Sequence, residues 1–217
     1  MTDPNLTHLY FLLDRSGSMQ SIKGDTEGGF DAFIAEQRTQ PGECRVTLAQ
    51  FDDTYEQVYA DLPVAEVPPL QLHPRGTTAL LDSIGRLIGE AGGRLAALPE
   101  DRRPGVVIVG IMTDGHENAS RELTHPQVKA LIERQTRDFA WQFLYLGADQ
   151  DAIEVGASIG VAAANSMTYG RGRVAEAMAA TSRNIGRTRS AVAAGASPNE
   201  AAVHMAYDEE QRAAAAE

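Results

Sequence analysis

Three short stretches of this chain carry side chains suited to chemistry. Asp14, Ser16 and Ser18 alternate through Asp14-Arg15-Ser16-Gly17-Ser18, directly after the apolar run Leu9 to Leu13. Thr77 and Thr78 close a proline-rich stretch, just ahead of the helical stripe Leu80, Leu81, Ile84, Leu87 and Ile88. Asp114-Gly115 follows the apolar run Val106 to Met112 and Thr113. Together these stretches offer two carboxylates and three or four hydroxyls. Donors that are all oxygen suit a hard cation such as Mg2+, with water completing an octahedral shell.

Such residues must be positioned by the elements before them. The run His8 to Leu13 reads as a strand buried on both faces, the kind found in parallel sheets covered by helices. Ligands of these sheets gather beyond the carboxyl ends of the strands, where all three stretches fall. Further along, Gln20 to Gly29 reads as loop, and Phe30, Phe33 and Ile34 mark a helix that Pro41-Gly42 ends. Arg45 to Phe51 is a strand, Asp52-Asp53 a hairpin turn, and Tyr55 to Leu62 its antiparallel partner at a sheet edge. Four prolines make 63–74 irregular. Thr124-His125-Pro126 starts a helix, with Thr124 as its cap. Trp141 to Leu146 is another strand, Asp149 a cap for the helix after it, and Met167 to Tyr169 a short strand. Val174 to Ile185 is helical and continues towards residue 195. This alternation predicts an α/β fold: Rossmann-like and doubly wound, with a mainly parallel central sheet, one antiparallel edge strand and helices on both faces. The expected domain covers residues 1–195 with its core in 6–170. An Ala- and Glu-rich tail, 196–217, is read as either a loosely packed helix or frayed.

Composition narrows the function. A net charge of −11 over 217 residues argues against a sequence-blind nucleic-acid binder. The single Cys44 excludes an internal disulfide and any multi-cysteine metal site, and its place before Val46 reads as a buried thiol. No segment reaches the ~18 apolar residues of a membrane span. The first residues lack the basic and apolar pattern of a signal peptide, so the expectation is a cytoplasmic protein with no membrane partner. No phosphate-binding Gly-rich loop or dinucleotide fingerprint occurs.

The three stretches, in this order and at strand ends, resemble the von Willebrand factor A (vWA) domain with its metal-ion-dependent adhesion site (MIDAS). That family carries Asp-x-Ser-x-Ser, then a threonine from a Gly-Gly-Thr-like loop, then an aspartate in a Thr-Asp-Gly-like loop. The matching metal ligands here are Asp14, Ser16, Ser18, Thr78 and Asp114. The chain departs in reading Gly76-Thr77-Thr78. Thr78 is placed as the ligand because it directly precedes the helical stripe, and Thr77 is the alternative. The resemblance implies that Ser16, Ser18 and Thr78 coordinate directly while one or both aspartates act through water. Neutral hydroxyls leave the cation electrophilic, so an acidic side chain of a partner protein takes the open position. It implies a non-catalytic binding module with no catalytic residue, holding Mg2+ with Mn2+ or Ca2+ as alternatives.

Two other readings compete. A Mg-dependent phosphohydrolase on a similar sheet also starts from an aspartate after the first strand. It needs a second acid two residues later, where this chain has Ser16. The third reading is a structural scaffold with an occupied metal site. Among single residues, Asp82 reads as a solvated acid in a first helical turn, with the rim of the site as the rival reading. His116 reads as a solvated loop residue.

Overall fold

The computed structural model describes residues 2–216. Six strands form one sheet in the order β3-β2-β1-β4-β5-β6. They are β1 (Asp3–Asp14), β2 (Glu43–Phe51), β3 (Tyr55–Pro63), β4 (Pro104–Thr113), β5 (Gln142–Ala148) and β6 (Ser166–Tyr169). Only β3 is antiparallel, pairing with β2 at one edge. The architecture is therefore the one expected from the sequence: a mainly parallel sheet with one antiparallel edge strand.

Strand alternation divides the core into two layers. Leu9, Phe11 and Leu13 of β1 face one side, where they meet Phe30, Phe33 and Ile34 of α1 (Lys23–Thr39) and Val174, Ala177 and Met178 of α5 (Val174–Ala193). Tyr10 and Leu12 face the other side, against α2 (Leu80–Ala97) and α3 (His125–Phe139). The period-2 geometry of a strand requires this split. Leu9, Leu12 and Leu13 of β1 are wholly inaccessible, and each contributes about 2 kcal/mol by leaving water. The short α4 (Ala152–Ser158) follows β5, capped by Asp151, whose side chain accepts from the amides of Ile153 and Glu154.

Three local expectations are corrected, and one open alternative is decided. The segment 20–29 is not all loop, because α1 begins at Lys23 and carries Gly24, Gly28 and Gly29 inside it. The reason lies elsewhere in the chain: a Cβ on Gly29 would sit 2.7 Å from Val174 Cγ1, so glycine lets α1 and α5 approach. The cap of α4 is Asp151, while Asp149 adopts a left-handed conformation (φ 49°) and pairs with Arg171 at 2.7 Å. Asp82 is neither free in solvent nor turned to the rim; it accepts the amides of Arg121, Glu122 and Leu123. Of the two readings of the tail, the helical one holds over its described residues, 196–216, Glu217 lying outside them. The tail forms α6 (Pro198–Ala201) and α7 (Glu209–Ala216), and it buries Ala201, Met205, Tyr207 and Ala215 in the α1/α5 layer. Tyr207 Oη lies 2.8 Å from Thr181 Oγ1, and Arg212 donates to the carbonyls of Ala163 and Ala164.

Cys44 is buried as expected, and burial pushes its thiol up to about 11. No helix among the described residues is long and apolar enough to cross a membrane.

Candidate metal centre

The sheet changes winding direction between β1 and β4, since α1 packs on one face and α2 and α3 on the other. Ligands of doubly wound sheets bind at such a switch point, outside the carboxyl ends of the strands. Asp14 is the last residue of β1, and Asp114 follows the last residue of β4. The strands pair in register up to Leu13 and Met112, so their two loops leave the sheet side by side.

All five expected ligands gather there. Asp14 is fully buried: Oδ1 accepts the Ser16 amide at 2.6 Å, and Oδ2 accepts the Thr113 hydroxyl at 2.5 Å. Ser16 Oγ and Ser18 Oγ are hydrogen-bonded at 3.1 Å, and Ser18 Oγ donates to Asp114 Oδ1 at 2.6 Å. Thr78 enters from the third loop. It is buried while Thr77 is exposed, and its amide donates to Asn118 Oδ1 at 2.9 Å. Gly115 shows how closely the loops converge. A Cβ placed on it would lie 3.1 Å from Thr78 Oγ1 and 3.7 Å from both Asp14 Oδ2 and Ser18 Oγ. Oxygens from three loops thus surround one small space that a side chain at 115 would invade.

The electrostatics fit a cation. Burial pushes the Asp14 carboxyl up to about 6, against the hydrogen bonds from Thr113 and Ser16, with the nearby Asp114 adding to the rise. Asp114 is likewise raised, chiefly by burial. Asp14 has only hydroxyl and amide donors beside it, and the positive charge of Arg171 offsets the rise at Asp114 only in part. The oxygens gathered here are mostly hydroxyls, from Ser16, Ser18 and Thr78, beside the two carboxylates.

Several residues that shape the centre have no role at the site assigned from the sequence. Thr113 orients Asp14. Glu117 accepts the amides of Leu81, Ala119 and Ser120, and these hydrogen bonds outweigh burial and lower its carboxyl. With Asp82, it fastens the loop after Asp114 to the start of α2. The hairpin turn at Asp52-Asp53 is present, but Asp52 is buried and ion-paired to Arg15 and Arg75. His116 lies exposed on the loop, as expected.

At the level of sequence, no family model and no curated protein matches the chain. Solved structures do. The vWF domain of the type V pili tip protein Mfa5 from Porphyromonas gingivalis aligns with a TM-score of 0.58 at 12% identity, covering 82% of this chain and 94% of that one. The fold is that of a von Willebrand factor A domain. Proximal thread matrix protein 1 from the mussel byssus aligns with a TM-score of 0.57 at 15% identity, over 82% of this chain and 46% of that protein. A second structure of that protein, with a zinc-occupied MIDAS motif, aligns at 0.51 and 16% identity over 76% of this chain and 41% of that one. The chain spans about half the length of the matrix protein, so the shared part is the vWA fold and not the whole of that molecule.

Proposed function

We propose that this vWA domain is a non-catalytic binding module that holds a divalent cation and captures an acidic side chain of a partner protein. Asp14, Ser16, Ser18, Thr78 and Asp114 would hold the ion. The observation that carries the reading is the convergence of Thr78 Oγ1, Ser18 Oγ and Asp14 Oδ2 over Gly115, beside two carboxylates that burial has raised. The zinc-occupied motif in a neighbour of the same fold supports it. Oxygen donors favour Mg2+, with Mn2+ and Ca2+ as the next choices.

The division of labour follows from burial. Asp14 has no exposed surface and both of its oxygens are engaged, so it is held in place and is not free to act as a nucleophile. Ser18 is exposed and Asp114 half-buried, so this side of the site is the one nearer the surface. A bound cation would supply an electrophilic position for a carboxylate oxygen arriving from solvent. A groove of about 800 Å³ opens alongside, lined by Thr77, Ala79, Arg86 and Asn118 among others, and gives the partner chain a path away from the site.

Calorimetric titration of Mg2+ into the wild type, Ser16→Ala and Thr78→Ala, followed by capture of partners with and without chelator, tests the proposal. Saturable binding lost in both variants, with partner capture lost in chelator, is the expected result. Unchanged affinity in both variants would refute the ligand assignment. Turnover of a phosphomonoester abolished by Asp14→Asn would replace the binding reading with an enzymatic one.

A further inference from the structure

The second position of the Asp-x-Ser-x-Ser stretch is Arg15, and its side chain is buried rather than solvated. Nε donates to Asp52 Oδ2 at 2.9 Å, and Nη1 donates to Glu56 Oε2 at 2.5 Å. Arg75, three residues before Thr78, donates through its own Nε to the same Asp52 Oδ2 at 2.8 Å. One carboxylate oxygen therefore receives a guanidinium from each of two ligand-bearing loops. The other oxygen is fixed independently, accepting the Thr54 amide and hydroxyl, both at 2.7 Å. Asp52 itself has no exposed surface.

Backbone bonds follow the same seam. The Arg75 amide donates to Arg15 O at 2.8 Å, and the Gly17 amide donates to Gly76 O at 3.2 Å. The Ala79 amide, just after Thr78, donates to Asp52 O at 2.8 Å. Asp52 is thus bonded, by side chain or main chain, to residues flanking Asp14, Ser16 and Thr78. The loop it restrains contains the long irregular stretch before Thr78, whose ordering costs roughly 1 kcal/mol or more per residue.

We propose that Asp52 is the positioning residue of the metal centre, locking the Asp14–Ser18 loop against the Thr78 loop through Arg15 and Arg75 and thereby setting cation affinity. The inference rests on the divalent-cation reading above. Its logic is geometric: a small cation such as Mg2+ demands near-ideal octahedral placement, so ligands from separate loops must be held in advance. The network is also close to charge-balanced, two guanidiniums facing the Asp52 and Glu56 carboxylates. Its contribution is therefore position and not a field on the ion.

That balance yields a test whose sign separates the two effects. Arg75 is largely exposed, with 63% of its side chain accessible, so Arg75→Ala leaves the core intact. If Arg75 acted only as a charge, removing a cation beside the site would tighten Mg2+ binding. If it positions Thr78 through Asp52, removal weakens binding, by about tenfold, with recovery in Arg75→Lys. The experiment titrates Mg2+ into the full chain by calorimetry. It also follows amide hydrogen exchange over residues 15–18 and 75–79 in chelator. Asp52→Asn is measured alongside, and if it fails to fold, Arg75→Ala carries the test alone. Expected are weaker Mg2+ binding, faster exchange in both segments of the cation-free protein, and a melting temperature within about 2 °C of the wild type for Arg75→Ala. Equal or tighter binding, or unchanged exchange, overturns the proposal. Should the wild type bind no divalent cation, the metal reading falls, and exchange in the cation-free protein alone decides whether Asp52 joins the loops.

Discussion

Replacing Asp14 by Asn separates what the site costs the fold from what it does. In chelator, the wild type must hold a desolvated carboxylate with no cation beside it. Burial raises that carboxyl from 3.8 to about 6 in the folded state. The folded protein therefore keeps its proton where the unfolded chain releases it, and the stability from this group is lost as pH rises through that interval. At neutral pH the loss is about 3 kcal/mol. Asn removes the charge but weakens the bonds from the Ser16 amide and the Thr113 hydroxyl, which returns about 1 kcal/mol of the gain. The cation-free variant is expected to be more stable than the wild type by about 2 kcal/mol at pH 7.5, or about 4–8 °C in melting temperature. With Mg2+ at about a hundred times its dissociation constant the wild type gains about 2.7 kcal/mol and the variant little, so the order reverses. Urea unfolding in chelator and in Mg2+ reads both comparisons. An Asn variant less stable than the wild type in chelator, or one that Mg2+ stabilises as much as the wild type, would refute the reasoning.

Other perturbations give distinct readouts. Gly115→Ala places a methyl 3.1 Å from Thr78 Oγ1, tighter than van der Waals contact, so Mn2+ affinity by calorimetry should fall about tenfold while the urea midpoint in chelator stays near the wild type. His8 is buried against Thr47 and Tyr10, and burial pushes it down from 6.5 to about 4. The unfolded chain therefore takes a proton that the fold refuses, and stability falls by up to about 3 kcal/mol as pH drops across that window. The loss between pH 7 and pH 4.5 should shrink in His8→Gln, measured by urea unfolding. Tyr207→Phe removes the hydroxyl bonded to Thr181 in the tail and should cost about 1 kcal/mol by the same assay, leaving Mg2+ binding unchanged.

How legible the molecule is from sequence depends on the range of the contacts. The oxygen side chains at 14, 16, 18 and 114 lie within a few residues of a strand end, so hydrophobic runs followed by oxygen side chains are enough to bring them forward as candidates. The mainly parallel sheet follows from the same runs, and its antiparallel edge from the hairpin. The start of α1 was hidden because Gly24, Gly28 and Gly29 disfavour a helix locally, and only the approach of Val174, far along the chain, explains Gly29. Asp149 and Asp151 both precede α4, and backbone conformation decides between them: Asp149 turns left-handed, and Asp151 is left at the cap. The tail is rich in alanine and weakly patterned. Its order comes from contacts to α5 and from Arg212 reaching carbonyls near β6, neither visible in a local window.

The least legible residues are the acids that organise the site, and comparing them with Asp14 and Asp114 strengthens the functional reading. Asp52 meets two arginines, and together with the Thr54 hydrogen bonds these outweigh burial and hold its carboxyl well below the usual range. Glu117 is lowered in the same direction by amides of its own loop and of α2. Asp82 takes three amides of the loop that follows Asp114. These acids have their counter-charges or donors supplied by the fold, some of them from their own loops. Others, such as Arg15 and Arg75 for Asp52 and the Leu81 amide for Glu117, come from positions too distant in sequence to read in advance. Asp14 and Asp114 lie beside the same loops, and the fold leaves them raised, bonded to hydroxyls and an amide. A chain able to bring Arg15 and Arg75 onto one carboxylate oxygen brings neither onto Asp14, one residue from Arg15. Arg171 offsets the rise at Asp114 only in part, and a bound cation would relieve both acids at the point where three loops turn their oxygens together.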